Sequence, residues 1–159
     1  MARVRYALLG LAVAAAACRS AAPPAELSGL WSSSQAACEA GVGVRFGADA
    51  IRAMYDGQSE VLFRAPRYEA EGNEADFRVR IRYALPRPAG GAHSQGAHGM
   101  IVLARSPGGG LAPRAHNLLD ARTGAARLRV MDDPAAALLT LEPCGPHPWR
   151  EGIRGRQLS

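Results

Sequence analysis

The segment Phe77-Arg-Val-Arg-Ile-Arg-Tyr-Ala-Leu85 decides the fold class, because apolar and basic residues alternate along it. Successive side chains of a β-strand point to opposite faces, so this alternation predicts a strand with one buried face and one solvated face. The predicted apolar face comprises Phe77, Val79, Ile81 and Tyr83, and the predicted basic face comprises Arg78, Arg80 and Arg82.

Short extended segments separated by turn sequences lie on both sides of this strand. Asp56-Gly57 is a strong tight-turn dipeptide, and Pro107–Gly110 also favours a turn. The other predicted strands are 27–31, 42–46, 50–55, 60–64, 67–70, 100–104, 111–119 and 126–130, with 135–141 a strand or a short helix and 89–99 the longest loop. About eight strands in consecutive order predict a single all-β domain, an antiparallel meander that forms a small barrel or a sandwich with one disulfide.

The first 17 residues have the organisation of a secretory signal. Met1–Arg5 is basic, and Tyr6–Ala17 is a 12-residue apolar run that ends in small residues. A helix needs about 20 apolar residues to span a bilayer, so this run is too short, and no later run is longer. We therefore expect the mature protein to be exported, and to be soluble or lipid-anchored in the cell envelope.

Ala15-Ala-Ala-Cys18 resembles the lipobox of bacterial lipoproteins. The resemblance implies that Cys18 receives a diacylglycerol, and Arg19 after it implies the outer membrane rather than retention at the inner membrane. Cleavage by ordinary signal peptidase in the same alanine run is the alternative. The expected organisation is a signal peptide at 1–17, a flexible tether at 18–26, the β domain at 27–151 and a basic tail at 152–159.

Export and cysteine parity together predict a disulfide. The chain has three cysteines, and either acylation or cleavage removes Cys18 from consideration, which leaves Cys38 and Cys144 as a pair in an oxidising compartment. We expect this bond to fix the proline-rich segment 141–149 to the start of the domain, with Trp149 near Trp31. Two separate buried thiols are the alternative.

The charge of the chain argues against nucleic acid as a partner. All 19 basic residues are arginines, and the formal charge is +5. Loss of Arg3 and Arg5 with the signal leaves 17 arginines against 14 acidic residues, which is +3. Nucleic-acid-binding domains usually have a larger and more clustered basic excess.

Two amphipathic strands carry the best candidate for a binding surface. The candidate anion-binding residues are Arg78, Arg80, Arg82, Arg127 and Arg129. Guanidinium groups suit phosphate and carboxylate, and the envelope offers both as lipid phosphates, lipopolysaccharide and peptidoglycan. The alternative is the ordinary solvated face of two strands with acidic neighbours.

Motifs for metals, cofactors and catalysis are weaker. His93 and His98 have spacing compatible with zinc or copper but lie in a glycine-rich loop, and Cys144 with His147 would need a free thiolate. His116 and Asp120 suggest a catalytic pair, but no nucleophile motif accompanies them. No dinucleotide fingerprint or phosphate loop is present. We predict no catalytic residue, no metal site and no cofactor, and the sequence leaves enzymatic activity open.

Gly29-Leu30-Trp31 resembles the G-x-W motif of lipocalins and related small β-barrels. In that family the tryptophan closes one barrel end against an arginine beyond the last strand, which implies Arg150, Arg154 or Arg156 here. The favoured function is a non-catalytic binding module, a ligand carrier or an inhibitor, acting on an envelope component. The alternatives are a structural lipoprotein acting through a protein partner and an envelope hydrolase.

Overall fold

The computed structural model describes residues 22–85, 96–131 and 140–146. The signal segment 1–17, Cys18, the tail 152–159, His93, His147 and Trp149 lie outside the described residues. Within the described residues lie a 3-10 turn, one helix and nine strands: the turn Ala25–Leu27, α1 Gln35–Glu39, and β1 Leu30–Ser32, β2 Gly43–Phe46, β3 Ala50–Tyr55, β4 Gln58–Glu71, β5 Arg78–Ala84, β6 Ala97–Arg105, β7 Leu111–Asp120, β8 Ala126–Met131 and β9 Glu142–Pro143.

The nine strands form one antiparallel sheet in which β1 to β8 pair in chain order. β9 pairs with the other side of β1, so the spatial order is β8-β7-β6-β5-β4-β3-β2-β1-β9. The predicted all-β meander is therefore confirmed. The Asp56-Gly57 turn is also confirmed: it joins β3 to β4, and both residues have positive φ, 46° and 69°. Positive φ at both central positions gives a two-residue hairpin turn whose twist matches that of the strands.

The C-terminal segment contacts both halves of the sheet. Pro143 lies opposite Trp31 of β1. Leu141, two residues earlier, exchanges both backbone hydrogen bonds with Leu111 at the start of β7, at 2.7 and 2.8 Å. The sheet is therefore curled, so that β1 and β7 come within one strand of each other. A single residue pair makes the second contact, and no continuous ladder among the described residues closes the sheet.

The core lies on the concave face of this curled sheet. Its buried members are Leu27, Trp31, Phe46, Ile51, Tyr68, Phe77, Val79, Ile81, Leu103 and Leu111. They come from β1 to β7 and from the 3-10 turn, so nearly every strand contributes. The apolar face predicted for β5 is buried throughout. No helix among residues 22–85, 96–131 and 140–146 is long and apolar enough to cross a membrane.

The predicted disulfide is present between Cys38 and Cys144, whose Cα atoms are 5.4 Å apart. Cys38 lies in α1, a short helix that was not predicted from the sequence. The Ser34 side chain accepts a hydrogen bond from the Ala37 amide at 3.2 Å, which caps the helix N-terminus. The backbone N–H of Cys144 donates to Leu30 of β1 at 2.8 Å, so the bond fastens the end of the chain beside the first strand.

Three predicted strand boundaries were wrong. The first strand begins at Leu30 and not at Leu27, because residues 25–27 form a turn whose Leu27 carbonyl accepts a hydrogen bond from Trp31 Nε1 at 3.3 Å. The segments 60–64 and 67–70 form one strand, β4, which has a bulge at Ala65–Pro66 against β5 and a register shift at Leu62 against β3. β6 begins at Ala97, so residues 97–99 belong to a strand and not to the predicted loop.

Candidate functional site

The predicted basic face of β5 is confirmed, but its three arginines differ in their surroundings. Arg80 is committed to acidic neighbours on β4: its Nη1 lies 3.0 Å from Glu69 Oε2, and its Nη2 lies 3.7 Å from Glu71 Oε1. Arg78 is exposed at the end of the strand. Arg82 lies 3.9 Å from the other oxygen of Glu69, which is the weaker of the two Glu69 contacts.

The other two predicted anion-binding residues, Arg127 and Arg129, lie on β8. β6 and β7 separate β8 from β5, so the structure does not place the five arginines on adjacent strands. Arg127 Nε donates to Asp120 Oδ2 at 3.0 Å. Hydrogen bonds from the Thr123 backbone, the Arg127 side chain and the Arg122 backbone hold the pKa of Asp120 well below its usual range. Arg129 lies opposite Asn117 of β7.

A notch in the sheet lies beside the bulge of β4. Ala65 has a positive φ of 47°, and the bulge shifts the register of β4 against β5 between Arg64 and Arg67. Bulges of this kind redirect side chains and often border functional sites. The notch has a volume of about 280 Å³ and is lined by Ala65, Arg67, Arg82, Tyr83, Ala84 and His98.

Basic side chains from three adjacent strands converge on this notch. Arg67 of β4 lies directly opposite Arg82 of β5 in the register. His98 follows on β6, whose Met100 is the direct partner of Arg82. Like charges directly opposite each other on a sheet are destabilising. The notch therefore has a local cationic excess, which a bound anion would offset.

Two polar atoms that border the notch are buried and lack a hydrogen-bond partner. They are Arg82 Nε and His98 Nε2, and no other described side-chain nitrogen or oxygen is in this condition. An unsatisfied buried polar group costs about 1–3 kcal/mol, and more when it is charged. Native structures carry few such groups, and their usual partner is an ordered water or ion, so two of them at one notch make it the best candidate for a bound anion.

The surroundings of His98 keep its imidazole neutral. Burial lowers the pKa of His98 and the charge of Arg82 lowers it further, while Asp120 acts in the opposite direction. The Asp120 carboxylate accepts hydrogen bonds from Arg122, Thr123 and Arg127, all in the hairpin of β7 and β8. It is therefore only a partial counterion for His98. An additional negative charge in the notch would favour the protonated imidazole.

A second polar pair lies on the concave side of the sheet. The Tyr83 hydroxyl and His116 Nε2 share a hydrogen bond of 2.6 Å, and the Phe63 ring centroid is 4.2 Å from that of Tyr83. Burial raises the pKa of Tyr83 to about 12 and lowers the pKa of His116. Both groups are therefore neutral near pH 7, and each satisfies the other in apolar surroundings.

These contacts do not assemble the catalytic pair or the Cys144–His147 metal site considered from the sequence, while His93, the partner of His98 in the other metal hypothesis, lies outside the described residues. Asp120 caps the turn after β7 through the Arg122 and Thr123 amides, while His116 is bonded to Tyr83. Cys144 is in the disulfide, which excludes a thiolate site with His147. No group of three or more potential metal ligands occurs among the described residues.

A larger groove of about 570 Å³ borders the contact between Leu111 and Leu141. Its lining includes Ser106, Arg114, Thr140 and Glu142. Within the described part of the chain, none of its side-chain polar atoms is both buried and unpartnered. The smaller notch is therefore the better candidate site, despite its smaller volume.

Comparison of the chain with protein-family models, curated proteins and solved structures gave no match. The candidate site is therefore defined by its geometry. Arg82 is one of the candidate residues predicted from the sequence, whereas Arg67 and His98 were not predicted to be its neighbours. Arg67 had no distinguishing pattern, since only the register of β4 against β5 places it opposite Arg82. His98 was assigned to a loop, although it lies only two positions before the apolar run at 100–104.

Proposed function

We propose that the protein is an exported, lipid-anchored envelope protein that acts as a non-catalytic binding module for an anionic envelope component. The observation that carries the proposal is the pair of buried, unpartnered atoms Arg82 Nε and His98 Nε2 at one cationic notch. An anion would supply the missing hydrogen-bond acceptor. It would also offset the two positive charges of Arg67 and Arg82, which face each other across β4 and β5. Charge-assisted hydrogen bonds of this kind are about twice as strong as neutral ones.

The anchoring part of the proposal rests on the lipobox-like sequence that ends at Cys18. Acylation of Cys18 and outer-membrane placement would hold the domain next to anionic lipids and glycans. The intact mass of the protein purified from membranes should equal that of residues 18–159 plus a thioether-linked diacylglyceryl group. A mature protein without a lipid adduct would contradict this part and leave the binding module in place.

The binding part is tested with two arginines of the same strand. Arg82→Gln removes the unpartnered Nε, whereas Arg78→Gln removes an exposed guanidinium with the same formal charge. The full mature chain in neutral detergent micelles is titrated against immobilised, protein-free envelope extract. We expect Arg82→Gln to weaken binding about tenfold, equivalent to about 1.4 kcal/mol, which is close to the lower end of the range for one charge-assisted hydrogen bond.

Arg78→Gln should change the affinity less than about twofold, in line with a screened surface charge. Binding should also weaken between 50 and 200 mM salt, because the contact is ionic. Equal losses in the two variants would indicate a diffuse charge effect and contradict a site at the notch. Absence of binding by the wild-type protein would contradict the function itself.

A further inference from the structure

The three basic groups of the notch come from three neighbouring strands and face one small volume. We infer that the ligand of this notch presents a tetrahedral oxyanion of the phosphate monoester class, with an oxygen for each of Arg67, Arg82 and His98. This inference rests on the proposed function, since it specifies the anionic group that the binding module holds.

The number and arrangement of the donors favour a tetrahedral group over a carboxylate. A carboxylate has two coplanar oxygens, which a single guanidinium can satisfy in a bidentate pair. Here the donors lie on β4, β5 and β6, and neighbouring strands are about 4.8 Å apart. In a tetrahedral oxyanion a third oxygen lies outside the plane that the central atom forms with the first two oxygens. The anion can therefore accept hydrogen bonds from side chains of all three strands at once.

Among the described residues, the rim of the notch leaves room for an organic substituent. Ala65 and Ala84 are exposed and carry only methyl groups, and they lie where the bulge separates β4 from β5. Tyr83 also contributes to the lining. An ester group attached to the phosphorus can therefore extend out of the notch over small side chains, while the anionic oxygens remain beside the basic groups.

The ligand should also take up a proton with His98. The charged groups that face His98 are Arg82 on β5 and Asp120 on β7, with Arg67 on β4 in the same notch. A dianion adds negative charge beside an imidazole that burial and Arg82 otherwise keep neutral, so binding stabilises the imidazolium. Affinity should therefore rise as the pH falls, provided that the anion itself does not change its charge.

Four probe anions test the inference on the full mature chain in neutral detergent micelles. They are sulfate, inorganic phosphate, phenyl phosphate and acetate. The binding of each anion is measured by titration calorimetry and by side-chain NMR of the arginine Nε and histidine signals. Sulfate serves for the pH series, because it remains a dianion between pH 7.5 and 6.0. We expect the three tetrahedral anions to bind at least about tenfold more tightly than acetate and to shift the Arg82 Nε signal.

The affinity for sulfate should rise about threefold or more between pH 7.5 and 6.0. His98→Gln should remove this pH dependence, Arg82→Gln should weaken sulfate about tenfold, and Arg78→Gln should have little effect. Circular dichroism and thermal melting of each variant show whether it is folded. If Arg82→Gln does not fold, the Arg82 Nε shift in the wild-type protein still decides whether this atom receives the anion.

The source of the phosphate is distinguished with nanodiscs. Tighter binding to nanodiscs containing phosphatidic acid than to free phenyl phosphate indicates a lipid headgroup, and the reverse order indicates a soluble monoester. Acetate binding as tightly as phosphate would overturn the tetrahedral class and leave the proposed function intact. Failure of all four anions together with envelope extract would overturn both.

Discussion

The ring of Tyr83 lies across Gly99, its direct partner on the neighbouring strand. A methyl group at position 99 would be 1.9 Å from Tyr83 Cζ, so only glycine fits under the ring. The ring is thereby held against β6, with its hydroxyl at His116 and the residue itself at the edge of the notch. This pair connects the concave interior of the sheet to the candidate binding site.

Gly99→Ala should therefore destabilise the protein. The added methyl group forces the Tyr83 ring away from β6, and overpacking of this kind costs about 1–3 kcal/mol. Urea denaturation at pH 7 measures the change. Gly108→Ala is the matched control, because no atom lies within 4 Å of a methyl group there, and its effect should stay within about 0.5 kcal/mol. Equal effects of the two substitutions would contradict the close packing of Tyr83 on Gly99.

Tyr83→Phe should also lower the free energy of unfolding. It keeps the ring on Gly99 and removes only the hydroxyl, so the His116 Nε2 loses its partner in a half-buried position. The expected loss is about 1–3 kcal/mol. Tyr55→Phe provides the comparison, since the Tyr55 hydroxyl is exposed and lies 3.5 Å from Glu60. Its removal should cost less than about 0.5 kcal/mol, and a loss as large as that of Tyr83→Phe would argue against a special role for the interior pair.

Stability should fall as the pH is lowered from about 7 to 5. The pKa values of His98 and His116 are both below the ordinary 6.5, so the unfolded chain binds more protons than the folded protein in this window. Asp49 and Asp120 have lowered pKa values too, but their carboxylates affect stability only below about pH 4. Denaturation curves at pH 5, 6, 7 and 8 give the profile.

His116→Gln should flatten that profile in part, because His98 still titrates. The variant loses stability at pH 7 through the Tyr83 contact, so the slope and not the absolute stability is the diagnostic quantity. A wild-type stability that is constant between pH 5 and 7 would contradict the neutral state of both histidines.

Cys144→Ser should destabilise the domain without changing the notch. The disulfide joins residues separated by 106 positions, and in the chain-entropy model a loop of this length contributes about 4–5 kcal/mol. Cys38→Ser and the reduced wild-type protein should lose the same amount. Sulfate binding at saturation should remain, because neither cysteine lines the notch. A loss of binding in a folded variant would mean that the C-terminal segment shapes the site.

The features that local sequence determined are those with short-range causes. The alternation in 77–85 fixed which side chains of β5 are buried, because the period of a strand is two residues. Asp56-Gly57 specified its turn because both positions adopt positive φ without a large penalty. The bond from Cys38 to Cys144 is the long-range exception, and it was predicted from the number of cysteines and not from a local pattern. The short helix around Cys38 was not predicted, because a single helical turn has too little periodicity to distinguish it from a loop.

Only the tertiary structure decided which basic residues form a site. Arg78, Arg80 and Arg82 are equivalent in sequence, yet pairing with β4 gives Arg80 two carboxylates and leaves the Arg82 Nε unpartnered. The same pairing, shifted by the bulge at Ala65, brings Arg67 opposite Arg82, and β6 brings His98 beside them. Strand register depends on how all strands bury their apolar faces together, so no local pattern in this sequence contains it.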